Sequence, residues 1–180
     1  MEVIDEQKRR EKKLLYLSET DSMTGINNRG SGERKIKEFL EKKKGGLLCL
    51  LDCDKFKKIN DTYGHTVGDT VLIQLASALQ RACRENDIVM RLGGDEFAMY
   101  LPGISDKEQS ESFFKRLFIQ IDKIFIPEMQ GEKVNVSLGA SLCLDDDRAT
   151  FDKLYHEADA AMYESKKILG NHAIIYLDLD

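Results

Sequence analysis

Residues 87–101 read DIVMRLGGDEFAMYL, two short apolar segments on either side of Gly93-Gly94-Asp95. Strand-forming runs joined through a glycine turn predict a β-hairpin, 87–92 against 96–101. Paired glycines admit positive φ and let a ligand approach the backbone without a Cβ in the way. The acids that follow, Asp95 and Glu96, place adjacent carboxylates on opposite faces of the strand.

Working outward, LLCLL (47–51) is a continuous apolar run between Gly45-Gly46 and Asp52. That pattern is expected of a central strand buried on both faces. A helix capped at or near Ser31 precedes it and runs to Lys44, with Ile36, Phe39 and Leu40 inside. Another is expected from about Asp69 to Cys83, where Val71, Leu72, Leu75, Leu79 and Ala82 recur at helical spacing. After the hairpin, Ser105 and Glu108 suggest a capping box for a helix bearing Phe113, Phe114, Leu117, Phe118, Ile121 and Phe125. VNVSLGASLCL (134–144) alternates, placing Val134, Val136, Leu138, Ala140, Leu142 and Leu144 on one face of a half-covered strand. A helix over 151–167 and a closing strand AIIYL (173–177) complete the order. A hairpin in the middle of this series favours an α+β layer over a doubly wound sheet.

The chain has 180 residues, a net charge of −5 and 33% charged residues. One domain with a short appendage is the simplest organisation: residues 1–20 as a linker or signalling helix, 21–180 as the domain. The charged N-terminus does not read as a signal peptide, and no membrane-length apolar run occurs. Four cysteines, at 49, 53, 83 and 143, lack CxxC or zinc spacing and read as reduced thiols of a cytoplasmic domain. The acidic balance argues against a broad DNA or RNA footprint and does not support a palm-like polymerase's template channel, while allowing a local phosphate pocket.

Asp52 closes the central strand and Asp54 follows it. If that strand neighbours the hairpin, Asp52 and Asp95 converge. One or two carboxylates completed by substrate phosphates and water suit Mg²⁺, the arrangement phosphoryl transfer requires. Lys55, Lys57 and Lys58 follow closely enough to neutralise a triphosphate, though such a run equally suits a solvated face. Asn60, His65 and Asp69 offer the donors and acceptors to read a base edge, guanine included.

RLGGDEF (91–97), together with DCDKFKKINDTYGHTVGD (52–69), DSMTGINNR (21–29) and ADAAMYESKK (158–167), strongly resembles the GGDEF family of diguanylate cyclases. The resemblance implies condensation of two GTP into cyclic di-GMP with release of two pyrophosphates, on a mainly antiparallel sheet similar to nucleotidyl cyclase and polymerase palm domains. It implies metal binding by Asp52, the Cys53 carbonyl, Asp95 and Glu96, with Mg²⁺ (or Mn²⁺) as cofactor. Asp95 and Glu96 become the catalytic acids. Gly93 and Gly94 line the phosphate approach, Lys57 and Lys166 contact phosphates, and Asn60, His65 and Asp69 match substrate-site positions. Arg84 and Asp87 resemble the family's RxxD product-inhibition site, with Lys115 or Arg116 as a further contact. Catalysis implies a homodimer, and the family usually follows a sensor domain, which a longer parent could anchor in a membrane.

Two positions depart from the family pattern. Met23 stands where Leu is commoner, a volume-conserving change. Gly170 occupies the slot of an arginine after Lys166, so a phosphate contact is missing or Lys167 substitutes for it. The alternative reading that this departure leaves open is a non-catalytic GTP or cyclic di-GMP receptor.

Overall fold

The computed structural model describes residues 2–145 and 148–178; Met1 and residues 179–180, at the ends of the two expected spans, lie outside them. Glu2–Glu19 (α1) is a helix whose Leu14, Leu15 and Leu17 are more than half exposed. Then follow Arg29–Glu41 (α2), Gly46–Cys53 (β1), Phe56–Tyr63 (α3), His65–Ala82 (α4), Ile88–Gly93 (β2) and Glu96–Pro102 (β3). Lys107–Asp122 (α5), Val136–Cys143 (β4), Phe151–Ser165 (α6) and His172–Ile175 (β5) complete the fold.

The five strands pair in the order β2-β3-β1-β4-β5, antiparallel except for β4 with β5. The expected α+β class and hairpin therefore hold. Every residue of β1 is buried, because helices cover the central strand on both sides. On one face Leu47, Cys49 and Leu51 pack with residues of α4 and α5, among them Leu75, Leu79, Phe113 and Leu117. On the other, Leu48 and Leu50 pack with Ile36 of α2 and with Leu154, Ala158 and Met162 of α6. Each fully buried leucine contributes about 1.5–3 kcal/mol, which is why one unbroken apolar run fixes the middle of the sheet.

Several local expectations are corrected. The α2 cap is Asn28, whose side chain accepts from Ser31 N, and the helix ends at Glu41. α4 begins at His65, four residues earlier than expected, because Gly64, with φ 93°, breaks the chain between α3 and α4. The α5 cap is Asp106, accepting from Gln109 N at 2.7 Å, while Gln109 Oε1 accepts from Ser105 N at 2.8 Å. Phe125 lies past that helix and is exposed, as is Leu144 past β4.

The larger correction concerns β4, which is covered on both faces. Its polar-looking alternate positions are Ser137, Gly139 and Ser141, and α6 lies directly on them. A Cβ on Gly139 would overlap Met162 N and Ala158 O, and Ser141 Oγ donates to Glu157 at 2.7 Å. Small residues there admit a helix backbone; they do not face water.

Candidate active site

The end of β1 and the β2–β3 turn meet at one edge of the sheet. Asp52 pairs in register with Glu96, so these two residues share a face. Asp95 lies just beyond the ladder, and its carbonyl accepts from Cys53 N at 3.3 Å. Gly93 and Gly94 carry the turn at φ 145° and 53°, the left-handed geometry that favours glycine.

Around this edge opens a cleft of about 690 Å³ whose wall includes Asp52, Cys53, Lys57, Asn60, Asp95 and Lys166. These six sequence-predicted positions are thus brought together, with the predicted Lys55 and Lys58 in the same wall. Glu96 adjoins them, and its charge is felt by both Asp95 and Lys166. Gly93 and Gly94 form an exposed lip, and His65 and Asp69 are exposed in the first turns of α4, outside that wall.

Asp52 is buried at 8% exposure, and its Oδ1 accepts no hydrogen bond. Its Oδ2 meets Lys166 Nζ at 2.6 Å. Burial, then the charge of Asp52, raises the Asp95 pKa above the ordinary carboxylate value. The hydrogen bond with Asp52 raises that of Lys166, against the opposing effect of burial. Carboxylates crowded out of water, one with an unused oxygen, are a ready site for a cation. Among the described residues no three acidic, histidine or cysteine side chains form a closed metal cage. Two carboxylates with open positions suit Mg²⁺, which keeps waters and takes substrate phosphates.

Asn60 supplies a second unsatisfied group, a buried Oδ1 with no partner. It fits only because residue 68 is glycine, where a Cβ would overlap that oxygen. Asp54, between the two ends of the site, accepts from Ser137 Oγ at 2.6 Å and ties the β1 exit to β4.

The wall also contains residues that sequence reasoning did not assign, including Tyr63, Lys133, Asn135, Ile168 and Leu169. Tyr63 stands inside the 52–69 motif, whereas Lys133, Asn135, Ile168 and Leu169 come from the segments before β4 and after α6, which reach the cleft only through folding. Gly170 lines the cleft with φ 83° and no side chain. Lys167, the other cation at this position, is outside that wall: it pairs with Glu164 at 3.0 Å and lies 5.1 Å from the Tyr163 ring.

A second cleft, about 510 Å³, lies beyond α4 and is lined by Arg84, Asp87, Phe113 and Arg116 among others. Asp87 Oδ2 accepts from the Arg84 backbone N at 2.7 Å, leaving the guanidinium out of that bond. Arg116 Nε donates to the Ala82 carbonyl at 2.9 Å. Of the two α5 candidates, Arg116 and not Lys115 is in this wall.

A model described as "Diguanylate cyclase, GGDEF domain" matches residues 18–172. The uncharacterized protein YtrP of Bacillus subtilis is 34% identical over 91% of this chain and 27% of its own length. Diguanylate cyclase DgcM of Escherichia coli is 34% identical over 91% of this chain and 40% of its own length. The chain thus spans well under half of each. The crystal structure of the GGDEF domain of DgcB from Caulobacter crescentus, in complex with c-di-GMP, superposes with a TM-score of 0.77 at 26% identity, covering 89% of this chain and 97% of that one. The isolated GGDEF domain of TpbB from Pseudomonas aeruginosa gives 0.73 at 30%, covering 87% and 94%. With the motif order, the sheet topology and these matches in agreement, the chain belongs to the GGDEF diguanylate cyclase family.

Proposed function

We propose that this domain is an active diguanylate cyclase that condenses two GTP into cyclic di-GMP and two pyrophosphates. The observation that carries the reading is the unpartnered, buried Oδ1 of Asp52 beside Asp95, at the edge of a lysine-lined cleft. Asp52, Asp95 and the Cys53 carbonyl would hold Mg²⁺, with Mn²⁺ as a substitute and Glu96 adjoining. When bound, the metal supplies charge neutralisation at the triphosphate.

The chain's own groups do the positioning. Lys57 and Lys166 bind phosphate oxygens as point charges. Asn60 Oδ1 accepts from guanine N–H donors, and its burial makes a base without them costly to bind. His65 and Asp69 are assigned to the outer part of the substrate site. The Asp95 carboxylate takes the proton of the 3′-hydroxyl. Each 3′-oxygen attacks the α-phosphorus of the other nucleotide: two P–O bonds form and two pyrophosphates leave. One domain holds one GTP, so turnover needs two copies facing each other, and most of the catalysis is alignment.

The Arg84–Asp87–Arg116 cleft is assigned to the product as an inhibitory site. Solved relatives support such a ligand: the DgcB domain was crystallised with c-di-GMP. No helix among the described residues is long and apolar enough to cross a membrane. α1 is read as a linker to an upstream sensor.

The test is incubation of purified protein with GTP and Mg²⁺ and quantification of cyclic di-GMP. Turnover by wild type and none by Asp95→Asn, folded by circular dichroism, supports the reading. Nucleotide binding without product would overturn the enzyme in favour of a receptor.

A further inference from the structure

Lys166 caps the C-terminus of α6, next to the fully buried Ser165. The Ser165 hydroxyl donates to the His172 carbonyl at 2.8 Å and accepts from Leu138 N at 3.3 Å. Asn171 Oδ1 accepts from Val136 N at 2.8 Å. Both ends of the 166–171 connection are therefore tied to β4, which fixes the root of Lys166. Its side chain stays 45% exposed, and Nζ reaches Asp52 Oδ2 at 2.6 Å. An ammonium is thus seated on the carboxylate that the reading above gives to the metal.

We propose that Lys166 is a placeholder cation: it occupies Asp52 in the nucleotide-free protein, and an arriving triphosphate draws it away so that the divalent metal enters with the nucleotide. This rests on the magnesium reading. A second cation approaching Asp52 meets the repulsion of the first, and at a site only partly in water that repulsion is not negligible. Triphosphate oxygens give the ammonium several charged acceptors in place of one. Metal and nucleotide then bind with positive coupling, and the coupling is reciprocal. With no arginine at 170, Lys166 is the cation at this end of the cleft best placed to respond to phosphate.

Mn²⁺ binding to the nucleotide-free protein, followed by loss of the free-ion electron paramagnetic resonance signal, tests this. Lys166→Met and Lys166→Gln should bind Mn²⁺ about threefold to fivefold more tightly than wild type, the scale of a half-exposed ion pair. The gain should persist at about 0.5 M salt, where long-range charge effects are screened within a few ångströms. Lys166→Arg should keep the weak wild-type affinity. Adding 3′-deoxy-GTP, which lacks the attacking hydroxyl, should erase the advantage of the neutral variants. Equal or weaker Mn²⁺ binding by both folded neutral variants would overturn the placeholder and leave the metal site standing. Failure of every protein to bind Mn²⁺, even with 3′-deoxy-GTP, would overturn the metal site and the placeholder together.

Discussion

Arg91 ties Asp21 to the hairpin turn: its Nη1 lies 3.3 Å from both Asp21 carboxylate oxygens, and its Nη2 donates to the Gly94 carbonyl at 2.8 Å. One guanidinium thereby joins the segment after α1 to the turn that presents Asp95. Burial alone would raise the Asp21 pKa, but hydrogen bonds from Thr24 and the charge of Arg91 outweigh it and hold the carboxyl below its ordinary value. A carboxylate with a lowered folded-state pKa contributes stability above its unfolded pKa and loses it as pH falls through the folded value. Both side chains are under a fifth exposed. Asp21→Asn should therefore cost about 1–2 kcal/mol at neutral pH. The gap to wild type should close on acidification below the ordinary aspartate range, as read by urea unfolding across pH.

Gly68→Ala separates function from stability. A Cβ there would displace Asn60 Oδ1, yet alanine is favoured over glycine in a helix by up to about 1 kcal/mol. The expected outcome is a KM for GTP raised about tenfold with thermal stability held or improved. Steady-state kinetics beside a melting curve checks it.

Gly139→Val should act on the fold itself. Its side chain would push into Met162 N and Ala158 O, backbone atoms of α6 that cannot rotate away. A loss of about 3 kcal/mol is expected from such overpacking, measured by chemical denaturation. Because α6 leads directly into Lys166, cyclase activity should fall as well, even below the denaturation midpoint.

At the second cleft, product titration against turnover should show inhibition weakened in Arg84→Ala and in Arg116→Ala. Each guanidinium is worth about tenfold in affinity if it contacts the product. Lys115→Ala should behave as wild type, since Lys115 is exposed and outside that wall. Equal inhibition of all three would remove the assignment.

Elements with a dense local signal were legible from the residues. The LLCLL run, the hairpin and the apolar spacing of α4, α5 and α6 identify themselves, because burial of a strand or helix face imposes a period on neighbouring positions. Helix caps were less so: Asn28 and Asp106 each had a competing serine nearby, and small free-energy differences decide which residue caps. β4 was misread because small side chains at 137, 139 and 141 look like a wet face until the position of α6 is known.

By itself, the sequence determined the fold class and the family and pointed to the carboxylates at 52, 95 and 96, since these rest on contiguous motifs and local periodicity. Only the tertiary structure decided what those groups meet. Lys166 comes to rest on Asp52 across 114 positions of chain at 2.6 Å, Arg91 reaches Asp21, and Lys167 turns away toward Glu164. Such pairings depend on how sheet and helices pack in three dimensions, and no spacing along the chain encodes an interaction between side chains that only packing brings together.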